Sequence, residues 1–199
     1  MAQAKVAEAW KNYPLQTKLK GKAYTLRPMT LDDGERLQQF ARALPPHDLL
    51  FLRRDITKPE GIKRWMDAVE RGAMYTVLCE DEQGIVAYSS LHLTELDWSK
   101  HVADLRVATA ERARGAGLGR LMTREAFNMA LALGIEKVVA RMTPDQQGAR
   151  ALFQELGFQP EALLKDEVKD RDGEYHDLLI MACNVDTFLA QRQAFGVSS

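Results

Sequence analysis

The chain has 199 residues, with 27 Lys and Arg against 28 Asp and Glu and 46% hydrophobic residues, the composition of one soluble globular domain with at most an appendage. A chain of this length buries roughly 70% of its unfolded surface, enough for a core without staples. Near-neutrality argues against a dedicated nucleic-acid binder, two cysteines in apolar runs argue against a disulfide framework, and no apolar run nears the roughly 18 residues of a membrane helix.

Residues 1–22 mix Ala and Lys with Trp10 and Tyr13 and read as a helical extension and linker. No hydrophobic leader core is visible there, so a cytoplasmic protein is expected. A short strand spans Ala23 to Met29. Thr30-Leu-Asp-Asp33 is a capping box ahead of Leu37, Phe40, Ala41 and Leu44, which share one helical face. Pro45-Pro46 stops that helix. Thr57-Lys-Pro-Glu60 has the same form ahead of Ile62, Trp65, Met66 and Val69, with Gly72 as C-cap.

The middle turns to strands. Met74–Glu80 and Ile85–Leu93 flank Asp81-Glu-Gln-Gly84, a hairpin signal. His101–Thr109 alternates Val102, Asp104 and Arg106 with Ala103, Leu105 and Val107. The strongest helical periodicity follows over Gly117–Leu133, ended by Gly134. Lys137–Met142 is a strand, and Pro144 opens a helix that Gly157 ends. Phe158–Val168 and Tyr175–Cys183 form a last hairpin around Asp170-Arg-Asp-Gly173, and Asn184 caps a final helix over 185–195, with Gly196 after it. The fold class is mixed α/β. The four histidines (47, 92, 101, 176) show no metal-ligand spacing, so no metal is expected.

One segment concentrates chemistry. Arg112-Ala-Arg-Gly115-Ala-Gly117-Leu-Gly119-Arg120 lies between a strand and the best helix. Glycines let the backbone approach a ligand closely, and a helix N-terminus offers unpaired N–H donors and partial positive charge, an anion site. Residues 106–124 hold five arginines (106, 112, 114, 120, 124) against Glu111 alone among acids, so the balanced total conceals one compact basic segment. A pyrophosphate suits it. The Rossmann spacing G-x-G-x-x-G is not met, because Arg120 stands where the pattern would continue, although Arg141 would suit a 2′-phosphate.

Arg112-x-x-Gly115-x-Gly117 before an amphipathic helix resembles the acyl-CoA signature of the GNAT N-acetyltransferases. Gln146-x-x-Ala149-x-x-Leu152-Phe153-x-x-x-Gly157-Phe158 is similar to a second stretch of that family, and Asp172-Gly-x-x-His-Asp177-x-x-x-Met181 to its last hairpin. The resemblance covers residues 23–183, leaving 1–22 as extension and 184–199 as a C-terminal helix and tail. It implies a central, mostly antiparallel sheet flanked by helices, splayed between its fourth and fifth strands, with acetyl-CoA in the opening. Backbone groups of Leu105, Arg106 and Val107 would pair with the pantetheine arm. The amides of Ala113, Arg114, Gly115, Ala116, Gly117, Leu118 and Gly119 would hold the pyrophosphate, with Arg112, Arg114 and Arg120 supplying charge, and Gln146 and Phe153 would line the cofactor.

The implied activity is transfer of an acetyl group to an amine, either a small molecule or a protein lysine or N-terminus. Partners are then acetyl-CoA and the acceptor, with no nucleic acid and no membrane, and a homodimer stays open. Phe153 stands where the family has its tyrosine acid, and Gln146 where it has asparagine. A base must come from elsewhere: Asp104, a carboxylate among apolar neighbours on the fourth strand, or His101. Glu80, Glu95 and Asp97 are candidates for the acceptor side, and Tyr175 for an acid. Two other readings stand beside this one, a non-catalytic acyl-CoA-binding module and an NADP-binding oxidoreductase.

Overall fold

Strands β3 (Met74–Asp81) and β4 (Gly84–Leu93) read as almost continuous apolar runs because both faces of their sheet are covered. Their side chains alternate between two clusters. Leu78 and Tyr88 meet Leu37, Phe40 and Trp65 on one face; Val77, Cys79 and Ala87 meet Leu118 and Met122 on the other. The computed structural model describes residues 7–49 and 55–194. Residues 1–6, where the predicted N-terminal helix begins, residues 50–54, and Gly196 with the tail lie outside the described residues.

Six further strands complete the sheet: β1 (Leu15–Leu19), β2 (Lys22–Pro28), β5 (Val102–Thr109), β6 (Lys137–Met142), β7 (Gln159–Lys169) and β8 (Tyr175–Asn184). Their order is β1-β2-β3-β4-β5-β6-β8-β7. Every pairing is antiparallel except β5 with β6. A nucleotide-binding fold of the Rossmann type needs a parallel, doubly wound sheet, which this sheet is not.

Helices α1 (Gly34–Arg42) and α2 (Pro59–Glu70) cover one face, and α3 (Leu118–Leu133) covers the other. The Trp65 indole donates to the Thr76 hydroxyl at 3.1 Å and meets the Tyr88 ring edge-on, which fixes α2 against β3 and β4. Around β6 and β8, α4 (Gln147–Glu155) and α5 (Val185–Ala194) close a third cluster with the second half of α3.

Several local expectations are met in atomic detail. Thr30 and Asp33 form the capping box, and the Asn184 side chain accepts the Asp186 amide at 2.9 Å. Others are corrected. Leu15–Leu19, inside the segment read as helix and linker, is an edge strand paired with β2, and Tyr13 donates its hydroxyl to Glu125 of α3. Thr57 caps nothing. Its hydroxyl bonds Asp55, and α2 begins instead with Lys58 as N-cap and Pro59 inside the first turn. The helix expected from Pro144 starts at Gln147.

The feature that shapes the site is a parting of the sheet. β5 pairs with β6 only from Val102 opposite Lys137 to Leu105 opposite Ala140. Beyond that, Arg106–Thr109 stay paired with β4, and no strand is paired with their other edge among the described residues. β6 turns away with β8 through Met142. The two cysteines fall on opposite sides of this parting, Cys79 in β3 and Cys183 in β8, both free and buried. Burial, with Asp81 and Glu80 nearby, pushes the Cys79 thiol up to about 12, and burial pushes Cys183 up to about 11.

Candidate functional site

Residues opposite one another across a ladder share a face. The register of β4 with β5 therefore aligns Tyr88 with Ala108, Ser90 with Arg106 and His92 with Asp104, on the side where α1 and α2 pack. Asp104 lies beside Val139 of β6, so Arg141, two residues on, shares that face. Arg141 forms an ion pair with Asp104, and the Arg106 guanidinium donates to the Arg141 carbonyl at 3.1 Å. Side chains thus lace the two strands where the backbone ladder ends. The Ser90 hydroxyl beside them is buried without a hydrogen-bond partner among the described residues, a polar atom that a ligand in the opening would satisfy.

At the far end of β5, the Glu111–Ala113 turn leads into the glycine loop. Gly115 (φ 74°) and Gly117 (φ 92°) sit in the left-handed region, with open space where a Cβ would stand. The amides of Ala113, Arg114 and Ala116 are used inside the loop, bonding Ala110, Glu111 and Ala113 carbonyls at 2.9, 3.1 and 3.3 Å. This corrects the expectation that every amide from Ala113 to Gly119 is available. Those of Gly115, Gly117, Leu118 and Gly119 find no backbone acceptor among the described residues, and the α3 macrodipole adds to them. Gly119 serves packing: a Cβ there would come within 2.9 Å of the Leu152 methyl of α4.

The arginines are less available than their number implies. Arg112 grips Asp81, with one contact at 2.9 Å, Arg114 pairs with Asp48, and Arg120 with Glu155. Unpaired amides and the helix end, more than free guanidinium groups, are what this loop presents to an anion.

The remaining expected residues separate. Leu105, Arg106 and Val107 lie at the parting. Asp104 is not a lone carboxylate among apolar groups, because Arg141 holds it. His101 is exposed at the closed end of the β5–β6 ladder, where its carbonyl accepts the Glu136 and Lys137 amides. Four strand rises of about 3.3 Å put it roughly 13 Å along the chain from Leu105, so it does not reach the opening. Gln146 sits at the N-cap of α4 without a side-chain cap bond. Phe153 is 7% exposed and packs edge-on against Phe158 in the core, ring centroids 4.8 Å apart. Glu80 is bound to Arg27 and Arg36, Glu95 and Asp97 are exposed on the loop after β4, and Tyr175 lies exposed under Lys169.

A further group assembles at the mouth from distant parts of the chain. His47, on the 3-10 turn Pro46–Leu49, places Nε2 at 3.2 Å from Asp145 Oδ2 and 3.3 Å from Thr143 Oγ1. Both partners follow directly after β6. The His176 ring lies edge-on to His47, centroids 6.4 Å apart, with its own Nε2 at 2.8 Å from Asp170. Asp170 raises the proton affinity of His176, and the Thr143 hydroxyl, then the nearby imidazoles, hold the Asp145 carboxyl below the usual range. The next residue, Asp48, takes Arg114 of the glycine loop. One short turn therefore touches both banks of the opening. No local signal marks this group: His47 is 96 residues from Thr143.

The molecule resembles several solved structures at identities that carry the fold alone. A ribosomal-protein-alanine N-acetyltransferase from Brucella melitensis matches at TM-score 0.71 and 23% identity, covering 80% of this chain and 98% of that one. Spermidine N-acetyltransferase from Vibrio cholerae, in complex with CoA and spermine, matches at 0.70 and 18%, covering 83% and 98%. RimJ from Mycobacterium smegmatis, in complex with CoA-disulfide, matches at 0.70 and 19%, covering 93% and 96%. No curated protein matches the chain. The acetyltransferase (GNAT) family model matches residues 37–158, across α1, the parted strands, the glycine loop and α4; the chain belongs to the GNAT acetyltransferase family.

Proposed function

We propose that the protein is an acetyl-CoA-dependent N-acetyltransferase that carries an acetyl group to a primary amine, on a small molecule or on a protein lysine or N-terminus. The observation that carries this reading is the parting of β5 from β6 after Leu105, ending in a glycine loop with unengaged amides. The donor set fits the cosubstrate. The strand edge at Val107–Thr109, with which no strand pairs on that side among the described residues, suits the amides of a pantetheine arm, and the amides of Gly115, Gly117, Leu118 and Gly119 at the start of α3 suit a pyrophosphate.

The cosubstrate supplies an activated thioester. The chain supplies position: the edge of β5 orients the arm, and α3 anchors the phosphates. The acceptor enters from the side of α1 and α2, over the polar strip of Ser90, Arg106, Asp104 and Arg141. A lysine or polyamine ammonium, near pKa 10.4, is almost wholly charged at pH 7 and an N-terminal one, at about 7.7–8.0, mostly so, so the site must favour the neutral form and receive its proton.

A thiol-release assay with acetyl-CoA tests the reading, using spermidine, a lysine peptide and an alanine-initiated peptide as acceptors. Saturable release above the enzyme-free rate is expected with at least one. Binding of acetyl-CoA without release from any acceptor would favour a non-catalytic acyl-CoA-binding module, a reading that the absence of a hydroxyl at Phe153 supports. Stabilisation by acetyl-CoA and not by NADPH is expected in a thermal-shift series.

A further inference from the structure

We propose that His47 is the group that takes the proton from the acceptor amine, with Asp145 orienting it and Asp48 holding its turn over the opening. This rests on the reading of the protein as an N-acetyltransferase and adds to it the identity of the base.

A base needs three things: a proton acceptor near neutral pH, a partner that fixes its tautomer, and access to the reacting atoms. Asp104 lacks the last, because its carboxylate is engaged by Arg141. His101 stands at the closed end of the ladder, and Phe153 has no proton to exchange. His47 has a carboxylate partner and an exposed ring at the mouth of the opening. Its Nε2 faces Asp145 Oδ2 at 3.2 Å, an arrangement in which Nε2–H donates to the carboxylate and Nδ1 keeps a lone pair. The side chain is 40% exposed, so the ring is open to an incoming amine. Thr143 and Asp145 follow the last residue of β6, on the bank that turns away from β5.

The location is held from the other bank as well. Asp48 grips Arg114 in the glycine loop and lies close enough to act electrostatically on Tyr88. Tyr88 shares its face with Ser90 and Arg106 at the parting. The charged and titratable groups facing His47 are Asp145 from the loop after β6, and His176 with its partner Asp170 from the last hairpin. Asp48 and Arg114 adjoin it along its own turn.

In the step itself, the neutral amine nitrogen attacks the thioester carbonyl carbon. The C–N bond forms, the C–S bond breaks with its electron pair on sulfur, and the amine proton passes to His47 Nδ1. The imidazolium releases that proton to solvent, and the thiolate takes one back, so the sum is amide and thiol.

The test compares wild type, His47→Gln and Asp145→Asn with acetyl-CoA and spermidine or an alanine-initiated peptide across pH. The spermidine amines titrate near 10.4, far above the ordinary imidazole range, so with spermidine a second acid limb of kcat/KM at lower pH reports the base; the peptide α-amine, at about 7.7–8.0, lies too close for this and serves only the rate comparison. Expected for His47→Gln is a loss of about 100-fold in kcat/KM and disappearance of that limb, with acetyl-CoA affinity within about twofold of wild type. Asp145→Asn keeps the imidazole and is expected to lower kcat with KM unchanged and to move the limb toward acid pH. Persistence of the lower acid limb, beside the amine's own, in His47→Gln, or activity within about threefold of wild type, overturns the proposal and leaves the transferase reading standing. Absence of wild-type turnover on every acceptor overturns both.

Discussion

The Asp104 carboxylate on β5 and the Arg141 guanidinium on β6 form an ion pair across the point where their strands part. The pair sits where the backbone ladder has just ended, and it substitutes side-chain attraction for the missing rungs. Removing one member leaves a half-buried charge, which costs about 1–3 kcal/mol. Asp104→Asn is accordingly expected to lower stability by about that much in urea titrations, and Arg141→Gln on that background to recover part of the loss. Its effect on kcat is expected to stay below about tenfold, smaller than removal of a base.

Asp48 pairs with Arg114 of the glycine loop and would compete for it with a phosphate bound there. Freeing the guanidinium in Asp48→Asn is expected to tighten CoA binding by about threefold to tenfold in calorimetry. The gain is expected to shrink as salt is added, because the exchange is electrostatic. Weaker binding in this variant would mean that Asp48 shapes the loop rather than occupying its arginine.

Much of this was legible in the sequence wherever the cause is local. Pro45-Pro46 ends α1, Gly134 ends α3, Asn184 caps α5, and Gly115 and Gly117 mark the loop, each through backbone geometry a few residues long. β1 was not legible. Leu15-Gln-Thr-Lys-Leu19 is an exposed edge strand, and only its pairing with β2 distinguishes it from a linker. Thr57 carries the sequence form of a cap, but Asp55, two residues back, takes its hydroxyl. The run of arginines overstates the free charge of the glycine loop, since Asp81, Asp48 and Glu155 reach them from three other elements. The grouping of His47, Thr143, Asp145 and His176 depends wholly on the fold.

Gly117 lies in the left-handed region as the N-cap of α3. Gly117→Ala is expected to cost about 1–2 kcal/mol of stability and to weaken acetyl-CoA binding by displacing the amides of Leu118 and Gly119. Gly119→Ala meets only the end of the Leu152 side chain, which can rotate, so a smaller change is expected. Thermal melts with and without acetyl-CoA separate the two effects.

Asp33 gives the fold an acid limit. Burial opposes its ionisation, but hydrogen bonds from the Arg27 guanidinium and the Thr30 amide bring its carboxyl from 3.8 down to about 2. A lowered folded value means that the stabilisation is complete above the ordinary value and is lost as pH falls from about 4 toward about 2. The difference is about 2 kcal/mol. Asp33→Asn is expected to remove that stabilisation at pH 7 and to flatten the unfolding free energy across this window, measured by urea titration at stepped pH.

The placement of the two thiols turns the native chain into its own stopwatch. Cys79 belongs to the half of the sheet before the parting and Cys183 to the half after it, and burial keeps both as inert thiols until their surroundings open. Alkylation followed by mass spectrometry therefore times the exposure of each half separately, with no engineered residue. Equal labelling rates would mean that the laced boundary joins the halves into one cooperative unit; unequal rates would locate the weaker half and show that the cleft is also a mechanical seam.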